Sequence, residues 1–189
     1  MWEQFLAYDK ELFLFLNNLG TEHWDGFWLF MTNKLHWIPL YALLLVLLYK
    51  QWGWRRTLLI LVAAALLILL TDQLTNFFKY GVQRLRPCHD LETRSLMRLV
   101  KASCGGKFGY FSAHAANHMA IAAFLTYFLW VRFRYIGFLL VPWALLVAYS
   151  RIYIGVHFPL DVFSGLAIGL FLSWLVAKLS IFAQHKFSL

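Results

Sequence analysis

Charge is what this chain has least of. Only 14% of its 189 residues are charged, and nine of them are acidic, where a soluble domain carries about a quarter. That shortage excludes an ordinary soluble domain. The hydrophobic residues, 61% of the chain, fall into long runs that fit an integral membrane protein. Cysteine is nearly missing: Cys88 and Cys104 are the only two, and they lack the ligand spacing of a metal site. A cleavable signal peptide is not expected either, because Met1 to Glu11 carries Glu3, Asp9, Lys10 and Glu11 in place of a basic start and an apolar core. The first apolar spans are then expected to direct insertion. No internal repeat or low-complexity segment is evident, and the length suits a single domain over residues 1–189.

The formal charge is +8. In a soluble chain that would raise nucleic acid as a partner. Here Lys50, Arg55, Arg56, Arg132, Arg134, Lys178 and Lys186 flank apolar runs and read as cytoplasmic anchors. The expected partner is the lipid bilayer, with no nucleic acid.

The pattern predicts an all-α, polytopic transmembrane bundle. Five spans can be drawn, at roughly 36–50, 57–78, 113–131, 136–150 and 160–178; about 20 apolar residues cross a bilayer core. The first and fourth are short, and tilt or an extension of the first towards Phe27 would make up the difference. Residues 1–34 read as interfacial amphipathic helices, with Trp24, Phe27, Trp28 and Trp37 as aromatic belt residues. An additional span there would put Asp9, Lys10 and Glu11 at mid-membrane. With the basic anchors inside, the long loop 79–112 and the short loop 151–159 both lie on the outer face.

Within the long loop, Asp90 to Ala102 is expected to form a short helix with Asp90 as N-cap. Arg94, Arg98 and Lys101 would share one face of it. Cys88 and Cys104 lie in the same loop. In an oxidising compartment a disulfide between them would close about 15 residues, worth roughly 3 kcal/mol in the chain-entropy model. Two free thiols are the alternative.

Three charged clusters lie at the ends of apolar runs, all on the expected outer face. The first is Lys79-x6-Arg86-Pro87. Read as helix, its two cations fall two turns apart on one face, and Pro87 ends the helix. Such a pair suits an anion, with Arg binding through two hydrogen bonds and Lys as a point charge; snorkelling anchors are the structural alternative. The second is Ser112-Ala113-His114. Ser112 is a natural N-cap, and a helix N-terminus also offers free N–H groups to an anion. His114 follows in the first turn and suits proton transfer. The third is Ser150-Arg151-x5-His157-x3-Asp161. Arg151 adds a phosphate ligand, and Pro159 suits the first position of the last helix. A carboxylate on one ring nitrogen of His157 frees the other to attack, although Asp161 also suits a helix start for structural reasons. Asp72 and Asn76 inside the second span are expected to bond another helix. His118 is expected near the site without acting in it.

Together the clusters resemble the type 2 phosphatidic acid phosphatase (PAP2) superfamily, over residues 79–161. That family's second motif is usually Pro-Ser-Gly-His, and this chain has Phe111-Ser112-Ala113-His114. The resemblance implies that His157 is the nucleophile of a phosphohistidine intermediate and that Asp161 orients it. His114 would protonate the leaving alcohol and then activate water. Lys79, Arg86, Ser112 and Arg151 would bind the phosphoryl oxygens, helped by a backbone N–H near Ala113. Ser150 would supply a supporting hydrogen bond. No metal or other cofactor is implied, because cations and N–H groups stabilise the developing charge.

A site at the membrane face suits a lipid phosphate: phosphatidylglycerol phosphate, phosphatidic acid, undecaprenyl diphosphate or the phosphate of lipid A. The Arg94, Arg98, Lys101 face would add headgroup contacts. Residence in a bacterial inner membrane, with the site towards the periplasm, is the corresponding expectation. A transporter or flippase that binds phospholipid headgroups without hydrolysis is the competing class, and it would not need the His157–Asp161 pair.

Overall fold

The computed structural model describes residues 2–186; Met1, at the start of the expected interfacial stretch, lies outside them. Two short helices come first, α1 (Trp2–Asn18) and α2 (Glu22–Thr32). Helix α1 is amphipathic, and its inward face carries Phe13, Asn17 and Asp9, all buried. Phe13 meets Phe158 edge-to-face at 5.2 Å. The Asn17 amide donates to the carbonyls of Ile152 and Tyr153 at 3.1 and 2.8 Å. The helix is therefore fastened to the rest of the protein along one side.

Asn33 interrupts the chain after α2, and its side chain caps a 3-10 turn at Lys34–Trp37 by accepting from the Leu35 N–H. The expected extension of the first span towards Phe27 is thus not found. Pro39 lies in the first turn of α3 (Ile38–Val82), where its missing N–H costs nothing. Gly53, at φ 69°, kinks α3 into two arms, in the basic turn between Lys50 and Arg56. Leu44 and Leu48 of the first arm and Ile60 and Leu67 of the second enter one core. Thr71 and Thr75 donate back to carbonyls of their own helix at 2.7 and 2.8 Å, so neither hydroxyl is left bare among apolar neighbours.

Three more helices complete the bundle: α4 (Ala113–Leu129), α5 (Ile136–Tyr153) and α6 (Pro159–Lys186). Helix α4 is central and lined with small residues; Ala115, Ala116, Ala120 and Ala122 are all buried. Helix α6 meets it along Gly165 and Gly169. A Cβ on Gly165 would lie 3.3 Å from that of Ala115, and one on Gly169 would lie 3.0 Å from the Ala116 carbonyl carbon. Small residues at this spacing let helix backbones approach closely. The opposite side of α6 exposes Phe163, Leu170, Phe171 and Trp174, an apolar surface that fits lipid rather than water.

Three helical stretches are long and apolar enough to cross a membrane: Lys34–Val82, which contains both arms of α3, Ile136–Tyr153 and Pro159–Gln184. The described residues contain no strand, only an isolated bridge between Leu85 and Phe108. The protein is an all-α transmembrane bundle.

The long loop departs from expectation. Residues 91–97 form turns, and no helix spans 90–102. Asp90 does cap, but it caps a turn: its Oδ1 accepts from the N–H groups of Glu92 and Thr93 at 3.2 and 3.1 Å. Thr93 then donates to the Pro87 carbonyl at 2.8 Å, folding the segment back on itself. Arg94, Arg98 and Lys101 consequently share no helical face. Cys88 and Cys104 are paired, with their Cα atoms 6.3 Å apart.

Candidate active site

Helix α3 carries Lys79 in its last turn and stops at Val82. Gln83 adopts a left-handed conformation and donates its N–H to the Lys79 carbonyl. Arg86 is therefore extended rather than helical, at φ −72° and ψ 157°, and the expected two-turn spacing does not hold. Arg86 reaches the site because the returning loop grips it. Its Nη1 donates to the Cys104 carbonyl at 2.7 Å and its Nε to the Phe108 carbonyl at 3.2 Å.

Ser112 is fully buried and caps α4, its Oγ accepting from the Ala115 N–H. The N–H of Ser112 donates to the Asp161 carbonyl at 2.9 Å. One backbone bond thus holds the second cluster against the third. The Ser150 hydroxyl is turned away and donates to the Val147 carbonyl at 2.6 Å. It makes no bond to the other motif residues, because a buried serine in a helix finds its nearest acceptor one turn back.

The turn from α5 to α6 is tight. The N–H groups of Val156 and His157 both donate to the Arg151 carbonyl, at 3.1 and 3.3 Å. Gly155 makes this possible at φ 83°, a conformation costly for other residues, and there is no room for a side chain beside the Arg98 carbonyl. His157 is thereby folded back towards Arg151. Pro159 opens α6 and Asp161 lies in its first turn. The Asp161 Oδ2 accepts from the Phe158 N–H at 3.1 Å and lies 3.5 Å from His157 Nδ1. That separation is long for a hydrogen bond, and Nδ1 has no hydrogen-bond partner among the described residues, but the carboxylate lies close enough to attract a protonated Nδ1.

Around this imidazole gather the cations. Arg151, Arg86 and Lys79 all lie close enough to His157 to push its pKa well below the usual histidine value, with burial the larger cause. The imidazole is thus held neutral. His114 feels the charges of Arg151, His118, His157 and Lys101. The structure therefore brings Lys79, Arg86, Ser112, Ala113, His114, Arg151, His157 and Asp161 to one place. Arg151 is 5% exposed; one guanidinium nitrogen donates to the Thr32 hydroxyl and its Nε has no protein partner. Among the described residues, Lys79, Arg86 and Arg151 form no ion pair with a carboxylate. Lys79 and Arg86 border an open cavity of about 460 Å³, together with Lys107 and Phe108.

Three contributors did not stand out in the sequence. Thr32 holds Arg151. Gly109 passes so close that a Cβ there would lie 3.1 Å from Asp161 Oδ2 and 3.6 Å from His157 Nδ1. Arg84 bonds Asp161 and Asp9. No local spacing marks them, since each acts on a residue far along the chain. Asp72 behaves as expected, accepting from the Asn117 amide of α4 at 2.8 Å. The ring of His118 stacks on that of His114 at 6.0 Å. Arg98 is drawn to α2, where it pairs with Asp25 at 3.0 Å. The described residues hold one cluster with metal-ligand geometry, Cys88, His89 and Cys104, and its two sulfurs are committed to each other.

Residues 56–184 match the PAP2 superfamily. The chain belongs to that superfamily. Among its curated relatives is the lipid A 4'-phosphatase of Bacteroides thetaiotaomicron, 38% identical over 180 residues, covering 94% of this chain and 77% of that protein. The lipid A 4'-phosphatase of Porphyromonas gingivalis is 33% identical over 187 residues, covering 97% of this chain and 78% of that protein. The crystal structure of the PAP2-type phosphatidylglycerolphosphate phosphatase from Bacillus subtilis shares the fold. Its TM-score is 0.71 at 22% identity, over 93% of this chain and 86% of that one.

Proposed function

We propose that this chain is a membrane lipid phosphatase that removes a phosphate from a lipid A type substrate at the outer membrane face. The observation that carries the reading is the set of three cations, Lys79, Arg86 and Arg151, collected around a neutral, buried His157 without a carboxylate to pair them. Like charges so placed favour an anion between them, and a phosphoryl group bearing negative charge fits. The free N–H groups at the start of α4 add to the same end. The two lipid A 4'-phosphatases among the relatives, matched over nearly the whole chain, favour a phosphorylated disaccharide lipid over a glycerolipid or a polyprenyl diphosphate. The basic anchors at the Gly53 end favour a cytoplasmic position for that end and hence an outer one for the site.

In this reading His157 Nε2 attacks phosphorus. The bond from phosphorus to the sugar oxygen breaks, and His114, carrying a proton once the negatively charged phosphate lies beside it, gives that oxygen the proton. The phosphohistidine is then attacked by water, whose proton returns to His114, and inorganic phosphate leaves. Asp161 keeps His157 Nδ1 protonated and the ring oriented. Charge growing on the phosphoryl oxygens is met by Arg86, Arg151, Lys79 and the N–H of Ala113. A second cavity of about 440 Å³, walled mainly by apolar side chains of α3 and α4, opens beside His118 and Asn117. It suits an acyl chain attached to a headgroup held one helical turn away.

The test is phosphate release from a panel of lipids by detergent-purified protein in EDTA. Release from a lipid A type substrate by the wild type, and none by His157→Ala, is the expected result. Equal rates in both would remove His157 as nucleophile. Headgroup binding without release from any lipid would place the protein with binding or transport proteins instead.

A further inference from the structure

Arg84 lies inside the x6 spacer of the first motif and, unlike Lys79, Arg86 and Arg151, is paired with carboxylates. Its side chain is 13% exposed and bridges two carboxylates, those of Asp9 at 6% and Asp161 at 0%. One nitrogen donates to Asp161 Oδ1 at 2.9 Å, the other to Asp9 Oδ2. The other Asp9 oxygen accepts from the Leu160 N–H at 2.8 Å, in the first turn of α6. The guanidinium also lies 4.4 Å above the Phe158 ring, and that ring packs against Phe13 of α1.

The two Asp161 oxygens consequently have separate tasks. Oδ1 is taken by Arg84, and Oδ2 is left for the Phe158 N–H and for His157. A carboxylate free to turn about its terminal bond would not keep Oδ2 directed at the imidazole. A buried ion pair broken on one side leaves an uncompensated charge. Without Arg84, Asp9 and Asp161 would face each other as two buried carboxylates, a situation relieved when one takes up a proton. Asp161 in that state no longer stabilises a charged His157.

We infer that Arg84 is a positioning residue for the reaction, and that Asp9 makes the docked helix α1 part of the same device. The inference rests on the reading of His157 as nucleophile. Helix α1 has a second tether to the loop, Lys10 with Asp90 and Glu92 at 3.0 and 2.6 Å, which does not touch Asp161. The two tethers separate attachment of the helix from orientation of the carboxylate.

The experiment compares Arg84→Ala, Arg84→Lys, Asp9→Asn and Lys10→Ala in the full chain in detergent. Arg84→Ala is expected to lower kcat about 10- to 100-fold, the range usual for groups that orient a reacting side chain. KM for the lipid stays within about twofold, since no substrate contact is lost. Arg84→Lys recovers part of the rate, Asp9→Asn loses less than Arg84→Ala, and Lys10→Ala keeps the wild-type kcat. Independently of turnover, the 15N resonances of His157, identified by their loss in His157→Asn, shift in Arg84→Ala and Asp9→Asn but not in Lys10→Ala. An unchanged kcat in Arg84→Ala with an unmoved His157 signal would overturn the inference. So would losses that follow the folded fraction equally in the Lys10 and Arg84 variants. Wild-type protein that hydrolyses no lipid would instead refute the phosphatase reading, and the His157 resonances would still decide the geometry.

Discussion

Two sets of cations occupy the same end of this bundle and differ in their company. Arg84, Arg98 and Lys10 each have carboxylates within ion-pair distance. Lys79, Arg86 and Arg151 have none among the described residues, and they crowd a buried imidazole instead. The first set is spent on structure: it fastens α1, α2 and the long loop to the bundle. The second set is desolvated and mutually repelling, a cost that an anion bound among them, as in the proposed function, would offset. The lesson is that burial and charge alone do not mark a binding cation; a missing carboxylate does.

The contrast can be broken most sharply at Arg151. Arg151→Met is expected to lower kcat about 100- to 1,000-fold, as loss of a charge-stabilising donor does, while the melting temperature holds or rises. A variant that melts earlier and keeps its activity would move Arg151 into the structural set. Gly109→Ala should act next, because its methyl would press on Arg86 Cγ and Asp161 Oδ2, each 3.1 Å away. A loss of about 10- to 100-fold in kcat is expected, since small misplacements of reacting groups are costly.

The pH dependence follows from the same crowding. Burial and the three cations lower the His157 pKa, so the acid limb of kcat/KM assigned to this group should fall below about 6.5, the ordinary histidine value. The unfolded imidazole binds its proton at that ordinary value while the folded one resists it. Stability from this group is therefore present above it and lost as pH falls below. An acid limb above the ordinary value, matched by the titration of the His157 15N resonances, would show the ring to be held charged.

Arg98→Ala tests the structural set. Its pair with Asp25 is partly exposed, at 28% and 23%, so the expected cost is about 1 kcal/mol or less, read from thermal melting with kcat unchanged. Lys10→Ala should cost as little, because Lys10 is itself 26% exposed and one of its two partners, Glu92, is 78% exposed.

The residues of the three motifs were legible in the sequence because their spacing survives folding: Ser112 does cap α4, and Asp161 does sit one turn after His157. The route by which Arg86 arrives was not legible. The helix was expected to run to Pro87, but Gln83 ends it early and the loop's carbonyls then take the guanidinium. The expected helix at 90–102 failed for a related reason. Asp90 and Thr93 satisfy their own turn, and Asn17 of α1 accepts the Arg98 N–H at 2.7 Å, a partner about eighty positions away. Asp9 shows the same limit. Its charge argues against a span, but its bonds to Arg84 and to the Leu160 N–H, 75 and 151 positions away, leave no mark in the local sequence.

The meeting of α4 and α6 has a consequence for traffic. Gly165 and Gly169 bring the two backbones so close that no hydrocarbon can pass between them, and this seam offers a lipid no way in. In the proposed reading an acyl chain would enter elsewhere, past Tyr41, Leu61 and Ile68, which line the apolar cavity beside His118. Which molecules are admitted is then decided by residues that take no part in bond breaking, and a change of diet would be expected to begin in that cavity rather than among the catalytic side chains.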